Sequence, residues 1–180
     1  MRFTKMHGCG NDYVYLDAWR EALPADLPAL ARAVSDRHRG IGSDGLIVVA
    51  PSQKADARMI MFNADGSESE MCGNGIRCCA RLAWEHGHLT KRDVVFETGA
   101  GLLDVSVLLD AGGTCTGARV RMGAPRLTPA TVPVEHPGPG PLMPVDLDLG
   151  PQGRWNLIAA GMGNPHAVCF VPDAETAPVT

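Results

Sequence analysis

A short amphipathic helix that begins at a glycine-flanked turn constrains this chain more than any other sequence feature. Residues 76–85 carry an apolar stripe at helical spacing, formed by Ile76, Cys79, Ala80, Ala83 and Trp84. Such a stripe predicts a helix with one face turned inward. The turn before it, residues 72–75, reads Cys-Gly-Asn-Gly, and its glycines allow the backbone to approach a ligand closely.

The thiol of Cys72 stands at the start of the glycine-flanked turn that opens this predicted helix. A helix N-terminus carries about half a positive charge and several unpaired N–H groups, so it stabilises a thiolate and attracts a carboxylate. The alternative is a buried structural thiol, which is the usual state of a cysteine in a reducing compartment. The position of Cys72 favours a reactive cysteine beside an anion site.

Composition restricts the class of protein. The 180 residues are 45% apolar, which suits one domain or one and a fraction. A net charge of −4, without clusters of Lys and Arg, argues against a nucleic-acid partner. No apolar run reaches the roughly 18 residues of a membrane helix, and the N-terminus does not resemble a signal peptide. We therefore expect a cytoplasmic protein with reduced thiols.

Local patterns predict an α+β fold with two helices and many short strands. A first helix is predicted between Pro24 and Arg37. The predicted strands cover residues 1–6, 12–17, 46–50, 57–63, 93–98, 101–109, 117–122, 155–160 and 166–171. A proline-rich segment at 123–144 cannot lie inside a regular sheet. The predicted organisation is a domain at 1–122 that carries Cys72, a loop or crossing at 123–144, and the opening strands of an incomplete second domain at 145–180. This suggests a partial chain.

Four segments combine glycine with asparagine and other small polar residues at points where the chain leaves a strand. Each alone is typical of an ordinary turn, but together they indicate one polar site. They are residues 8–12, residues 42–45, residues 63–68 with 71–75, and residues 161–166.

These segments resemble the motifs of the diaminopimelate epimerase family, and the resemblance runs from Phe3 to about Val171. His7-Gly8-Cys9-Gly10-Asn11-Asp12-Tyr13 is similar to the family's opening motif. Asn63-Ala64-Asp65-Gly66-Ser67 precedes the Cys72-Gly73-Asn74-Gly75 signature, and Gly163-Asn164-Pro165-His166 is similar to a third motif. The resemblance implies a β-barrel-type sheet around a central helix, with a second, similar domain of which only part is present.

The implied reaction is the cofactor-independent interconversion of LL- and meso-diaminopimelate, in the synthesis of lysine and cell-wall precursors. Cys72 would be one of two bases that act on opposite faces of the α-carbon. The backbone N–H groups of Gly73 and Asn74 would hold the α-carboxylate. By the same resemblance, the side chains of Asn11, Asn63 and Asn164 bind the small-molecule substrate. The full-length protein is expected to form a homodimer.

The sequence departs from the family pattern in its second half. The family's second base lies in a Cys-Gly-Thr-Gly motif, and these 180 residues contain none. The isolated chain is therefore expected to be inactive. Two alternatives stay open: a related racemase for proline or hydroxyproline, and a non-catalytic ligand-binding module that lacks the second base. Neither a cofactor nor a metal is expected, because the spacing of Cys72, Cys78 and Cys79 fits no zinc pattern.

Overall fold

The computed structural model describes residues 1–132, 134–135, 144–148 and 150–177. The chain divides into two compact units, residues 1–122 and residues 123–180. Of the predicted proline-rich segment, residue 133 and residues 136–143 lie outside the described residues.

The first unit is a curled, mixed sheet of eight strands. These are β1 (Thr4–Gly8), β2 (Asn11–Asp17), β3 (Gly45–Ala50), β4 (Ala57–Asn63), β5 (Glu68–Ser69), β6 (Asp93–Thr98), β7 (Gly101–Leu109) and β8 (Cys115–Val120). The order is β1-β2-β3-β4-β6-β7-β8, and β5 pairs with β4. The β2–β3 and β4–β6 pairs are parallel and the other pairs are antiparallel.

Helix α2 (Gly73–Glu85) lies inside the curl of this sheet. It packs against both edge strands, β1 and β8, and also against the central strands β3 and β4. Ile76, Cys79 and Ala83 on its inward side are completely buried. Because the sheet surrounds the helix, the apolar stripe loses its contact with water on several sides, and this burial is a major stabilising contribution.

A second core lies on the outer face of the same sheet, under helix α1 (Leu27–Ser35). Alternate residues of a strand point to opposite faces. In β3, accordingly, Ile47 belongs to the inner core and Leu46 and Val48 belong to the outer one. All six residues of β3 are buried, as expected for a strand covered on both faces.

The second unit contains a three-stranded antiparallel sheet. Its strands are β9 (Val145–Asp148), β10 (Arg154–Gly161) and β11 (Pro165–Val168), in the order β11-β10-β9. Arg126 and Gly161 exchange two backbone hydrogen bonds of 2.9 Å and extend this sheet by one bridge. The predicted strand at 166–171 is shorter than expected and begins one residue earlier.

The structure also corrects several element boundaries. Helix α1 begins at Leu27, not near Pro24, because the Asp26 carboxylate accepts a hydrogen bond from the Ala29 N–H and caps the helix. The strand predicted at 1–6 begins at Thr4 and continues to Gly8. Strands β5 and β9 were not predicted. Among the described residues, no helix combines the length and apolar character needed to cross a membrane.

Candidate functional site

Cys72 lies at the N-terminus of α2, one residue before its first helical residue. Its backbone is extended, with φ −136° and ψ 111°, and its carbonyl accepts the Ile76 N–H at 2.9 Å. Its sulfur accepts a hydrogen bond from the Gly75 N–H at 3.3 Å. The sulfur therefore acts as the side-chain cap of the helix, at the position where the positive end of the helix dipole stabilises a thiolate.

The backbone N–H groups of the next two residues are available to an anion. In the part of the chain that the structure describes, neither Gly73 nor Asn74 donates its backbone N–H to a protein acceptor. Both residues are partly exposed, as is Cys72. A helix N-terminus with two free donors beside a thiol is suited to a carboxylate ligand.

Tyr13 lies beside Cys72 and was not singled out by the sequence analysis. The pKa of Tyr13 is raised above its ordinary value, first because the side chain is buried and second because of the charge and hydrogen bonding of Cys72. The side chain of Asn11 opposes this shift. A buried, neutral Tyr13 hydroxyl therefore lies near the Cys72 sulfur.

The turn between β1 and β2 lies across the start of α2. The Asn74 amide donates to the Asn11 side-chain oxygen at 2.9 Å, and Arg77 donates to the Asn74 side-chain oxygen at 2.6 Å. The same Arg77 nitrogen lies 3.4 Å from the Cys9 sulfur. A Cβ on Gly8 would stand 2.9 Å from the Asn74 carbonyl oxygen, so this close approach requires glycine. Two predicted site residues, Asn11 and Asn74, are therefore brought together.

A charged cluster fixes the start of β2 next to Asn11. The Asp12 carboxylate pairs with Lys5 at 2.6 Å and with Arg37 at 2.8 Å, and Arg37 also pairs with Asp44 at 3.0 Å. Hydrogen bonds from Arg37 and Lys5 hold the pKa of Asp12 well below its ordinary value. This cluster joins the beginnings of β2 and β3, so it orients the loop that carries Asn11.

Asn63 ends strand β4 at the same edge of the sheet. It pairs in register with Gly45, the first residue of β3, which in turn pairs with Tyr13 in β2. The Asn63 amide donates to the Ser67 hydroxyl at 3.0 Å, and the Ser67 N–H donates to the Asp65 carboxylate at 2.8 Å. Asp65 is a turn-forming residue, and Asn63 is held at the sheet end that also carries Asn11.

Asn164 lies in the second unit, in the turn between β10 and β11. Its carbonyl accepts the Met162 N–H at 3.0 Å, and the carbonyl of Gly163 accepts a hydrogen bond from Arg126 at 3.1 Å. Gly163 has φ +97°, a conformation that favours glycine. The expected role of Asn164 in binding the same substrate as Cys72 stays a prediction.

Cys78 and Cys79 differ from Cys72 in their surroundings. Both are buried, and burial raises the pKa of each thiol above its ordinary value, most strongly at Cys79. Buried thiols in apolar surroundings are inert. Cys78 packs into the core around α2, as a structural thiol does. Of these three neighbouring cysteines, Cys72 is the one that is partly exposed and lies beside the backbone N–H donors of the helix N-terminus.

Sequence reasoning missed Tyr13 and Arg77 as parts of the site. Tyr13 belongs to the opening motif, so its place next to two asparagine-bearing turns was a usable signal. Arg77 lies one helical turn after Asn74, where side chains three residues apart share a face. That spacing could have identified Arg77 as a partner of the Asn74 amide.

Comparison with known proteins identifies the family. The profile of the diaminopimelate epimerase family matches residues 3–128. A diaminopimelate epimerase of Geobacillus thermodenitrificans is 47% identical over 180 residues, covering 99% of this chain and 61% of the relative. One of Desulfovibrio desulfuricans is 50% identical, covering 95% of this chain and 60% of the relative. The chain thus spans about three fifths of the length of these relatives.

Solved structures share the fold at low sequence identity. A hydroxyproline epimerase from Agrobacterium vitis superposes with a TM-score of 0.64 at 16% identity, covering 94% of this chain and 51% of that one. A PhzF-family phenazine biosynthesis protein from Bacillus anthracis gives 0.60 at 19% identity, covering 94% and 56%. These similarities confirm the α+β fold with a curled sheet around a central helix. The family profile and the relatives together show that this chain belongs to the diaminopimelate epimerase family.

Proposed function

We propose that this protein is a cofactor-independent isomerase that interconverts LL- and meso-diaminopimelate, with Cys72 as one of its two bases. The observation that carries the proposal is the position of the partly exposed Cys72 at the N-terminus of α2. It lies next to the backbone N–H groups of Gly73 and Asn74, which meet no acceptor among the described residues. Family membership supports the substrate, because the relatives that match over nearly the whole chain are named diaminopimelate epimerase.

The chemistry requires removal of a proton from a very weak carbon acid. The Cys72 thiolate takes the α-proton and becomes a thiol, while the C–H electron pair moves into the adjacent carboxylate. The N–H groups of Gly73 and Asn74 are placed to bind that carboxylate and to stabilise the charge that it gains. In the reverse direction, the Cys72 thiol gives its proton to the carbanion.

Inversion needs a second proton donor on the opposite face of the α-carbon. We assign it to the part of the family that these 180 residues do not span, which makes the isolated chain inactive in epimerisation. If the second base stood on the same face as Cys72, the proton would return to the face it left. The substrate would then exchange its proton without inversion.

The asparagine side chains complete the proposed binding site. Asn11, Asn63 and Asn164 present amide groups that accept from an ammonium and donate to a carboxylate without adding net charge. The polar ends of the substrate are therefore bound, and the α-carbon is held between the two bases. We include in the proposal a role in lysine and cell-wall precursor synthesis, a cytoplasmic location and a homodimer. Six unpaired cysteines fit a reducing compartment.

The test compares substrates. The protein encoded by the complete reading frame is incubated with LL-diaminopimelate or, as alternatives, with L-proline and trans-4-hydroxy-L-proline. The stereochemistry of each product is resolved by chiral chromatography. We expect inversion of diaminopimelate and none of the cyclic amino acids. Turnover of proline or hydroxyproline in its place would assign the protein to the racemase alternative, and binding without any turnover would assign it to the non-catalytic one.

A further inference from the structure

A cluster of one aspartate and two histidines lies at the opposite end of α2 from Cys72. Nδ1 of His86 and Nε2 of His88 lie 2.6 Å and 2.8 Å from the same oxygen, Oδ2 of Asp17. The Asp17 side chain is 8% exposed, and those of His86 and His88 are 26% and 13% exposed. Three groups that commonly bind metal ions thus converge on one point near the surface.

The backbone holds this cluster in place. His86 caps the C-terminus of α2 by donating its N–H to the Leu82 carbonyl at 2.9 Å, and the His88 N–H donates to the Ala83 carbonyl at 2.8 Å. Gly87 between them has φ +77°, which turns the chain so that both imidazoles point towards Asp17. The histidine pair is therefore arranged by the helix C-cap, independently of its contact with the carboxylate.

Two further contacts orient the groups around the cluster. The other Asp17 oxygen, Oδ1, accepts the Trp19 N–H at 2.9 Å, and the Trp19 ring stacks on His88 with a centroid distance of 4.4 Å and an interplanar angle of 13°. Hydrogen bonds of this kind behind the ligands are a regular feature of metal sites. They orient the carboxylate and one imidazole before any ion binds.

We propose that Asp17, His86 and His88 form a binding site for a divalent transition-metal ion, for which Zn²⁺ is the probe. One carboxylate and two imidazoles suit Zn²⁺, which takes such ligands at about 2.0–2.2 Å in tetrahedral geometry. That geometry separates neighbouring ligand atoms by roughly 3.3 Å. To reach that separation, Nδ1 of His86 must move away from Oδ2 by about 0.7 Å and Nε2 of His88 by about 0.5 Å. Side-chain rotations near the C-terminus of α2 can supply these shifts.

A water molecule can complete the coordination. Asp17 and His86 line a surface cavity of about 190 Å³, several times the roughly 30 Å³ that one water molecule occupies. In this proposal the ion joins the end of β2 to the C-terminus of α2, so it stabilises the fold. It takes no part in the proton transfer assigned to Cys72.

Arg20 opposes metal binding and provides a test with the opposite sign. Its Nε lies 3.6 Å from Oδ2 of Asp17, and its side chain is 48% exposed. A guanidinium so close to the site repels a divalent cation. Replacement of Arg20 by glutamine is therefore expected to strengthen Zn²⁺ binding, whereas replacement of either histidine weakens it.

The experiment is calorimetric titration of the purified chain with Zn²⁺, for wild type, His88→Gln, Arg20→Gln and the remote control His7→Gln. Glutamine at position 88 can still donate a hydrogen bond to Asp17, and circular dichroism checks that each variant is folded. We expect one ion per wild-type chain and binding at least about 100-fold weaker in His88→Gln, because even groups behind a ligand contribute about 10- to 100-fold. We expect His7→Gln to match wild type and Arg20→Gln to bind more tightly.

The six thiols of the chain are alternative ligands for Zn²⁺. Substitution with Co²⁺ shows whether thiolates bind the ion. Substitution with Co²⁺ should give visible ligand-field bands without a thiolate-to-cobalt charge-transfer band. Equal Zn²⁺ affinity in wild type and His88→Gln, a thiolate band in the Co²⁺ form, or no Zn²⁺ binding at all would each overturn the proposal. Because this site is separate from Cys72, none of these outcomes bears on the proposed epimerase activity.

Discussion

The sulfur of Cys72 accepts a hydrogen bond from the Gly75 N–H at 3.3 Å, so the residue proposed to remove a proton also caps the central helix. The helix is held inside the sheet by an apolar face on which Ile76, Cys79, Ala80 and Ala83 are completely buried. The position of the thiol is therefore fixed by the packing of the whole first unit. A surface loop could not hold it as rigidly.

Gly73→Ala and Gly75→Ala are expected to impair the protein for different reasons. A Cβ on Gly75 would stand 2.6 Å from Cδ1 of the buried Ile47, so Gly75→Ala should overpack the core and cost about 1–3 kcal/mol of unfolding free energy. A Cβ on Gly73 meets nothing closer than 3.8 Å, so Gly73→Ala should keep its stability.

Substrate affinity further distinguishes Gly73→Ala from Gly75→Ala. In Gly73→Ala a methyl group stands beside the N–H proposed to bind the carboxylate, and KM should rise although urea unfolding is unchanged. An unchanged KM in a stable Gly73→Ala protein would remove this backbone from the binding site.

The hydrogen bond between Asn74 and Asn11 predicts energetic coupling. Asn11→Ala and Asn74→Ala should each weaken substrate binding in the full-length enzyme. The double variant should lose less than the sum, by about 1 kcal/mol, because either single change already breaks their 2.9 Å contact. A double-mutant cycle on kcat/KM measures this coupling. Strict additivity would show that the two amides act independently.

Tyr15→Phe is expected to leave stability unchanged or to raise it by up to about 1 kcal/mol. The Tyr15 hydroxyl is buried and meets no strong hydrogen-bond partner among the described residues. Its polar neighbour is the thiol of Cys78, which is a weak partner, so removal of the hydroxyl relieves most of the cost of a poorly paired polar group. Tyr13→Phe is the matched control, because the Tyr13 hydroxyl interacts with Cys72 and Asn11. Urea unfolding of both variants checks this, and a loss of more than about 1 kcal/mol in Tyr15→Phe would contradict it.

The ion pairs of Asp12 predict that the protein loses stability in acid. Its pKa is held below its ordinary value by Arg37 and Lys5, so its contribution is complete above the unfolded pKa of about 3.9 and disappears as the pH falls towards the folded pKa. The free energy of unfolding of wild type should therefore fall below about pH 4 more steeply than that of Asp12→Asn. Urea unfolding at pH values from about 6 to about 3 measures both free energies. For Lys5→Met, which removes one of the two cations beside Asp12, the fall should be intermediate in steepness. Parallel curves would contradict the assignment.

Local signals made much of the site predictable. The start of α2 follows from a glycine turn and an apolar stripe, and both are contained in residues 72–85. The asparagine-bearing turns follow from composition at strand ends. Such features need no knowledge of distant pairing, because turn chemistry and helix periodicity act over a few residues.

The missed features depend on contacts between distant parts of the chain. Arg77 meets Cys9 across 68 residues, and Asp17 meets His88 across 71. These contacts exist because the sheet curls and brings β1 and β2 against both ends of α2. Strand β5 has two polar residues, which carry no strand pattern, and it forms only because β4 offers a free edge.

The central claim is that Cys72 exchanges a proton with the substrate, and hydrogen exchange tests it most directly. The full-length enzyme is incubated in deuterium oxide with LL-diaminopimelate and, separately, with the meso isomer, and deuterium at the inverting α-carbon is measured. Cys9→Ser is the control, because Cys9 is an exposed thiol near the same helix end. Cys72→Ala should lose epimerisation in both directions and should slow exchange from one isomer by at least about 100-fold. Exchange from both isomers at the wild-type rate would contradict the assignment of Cys72 as a base.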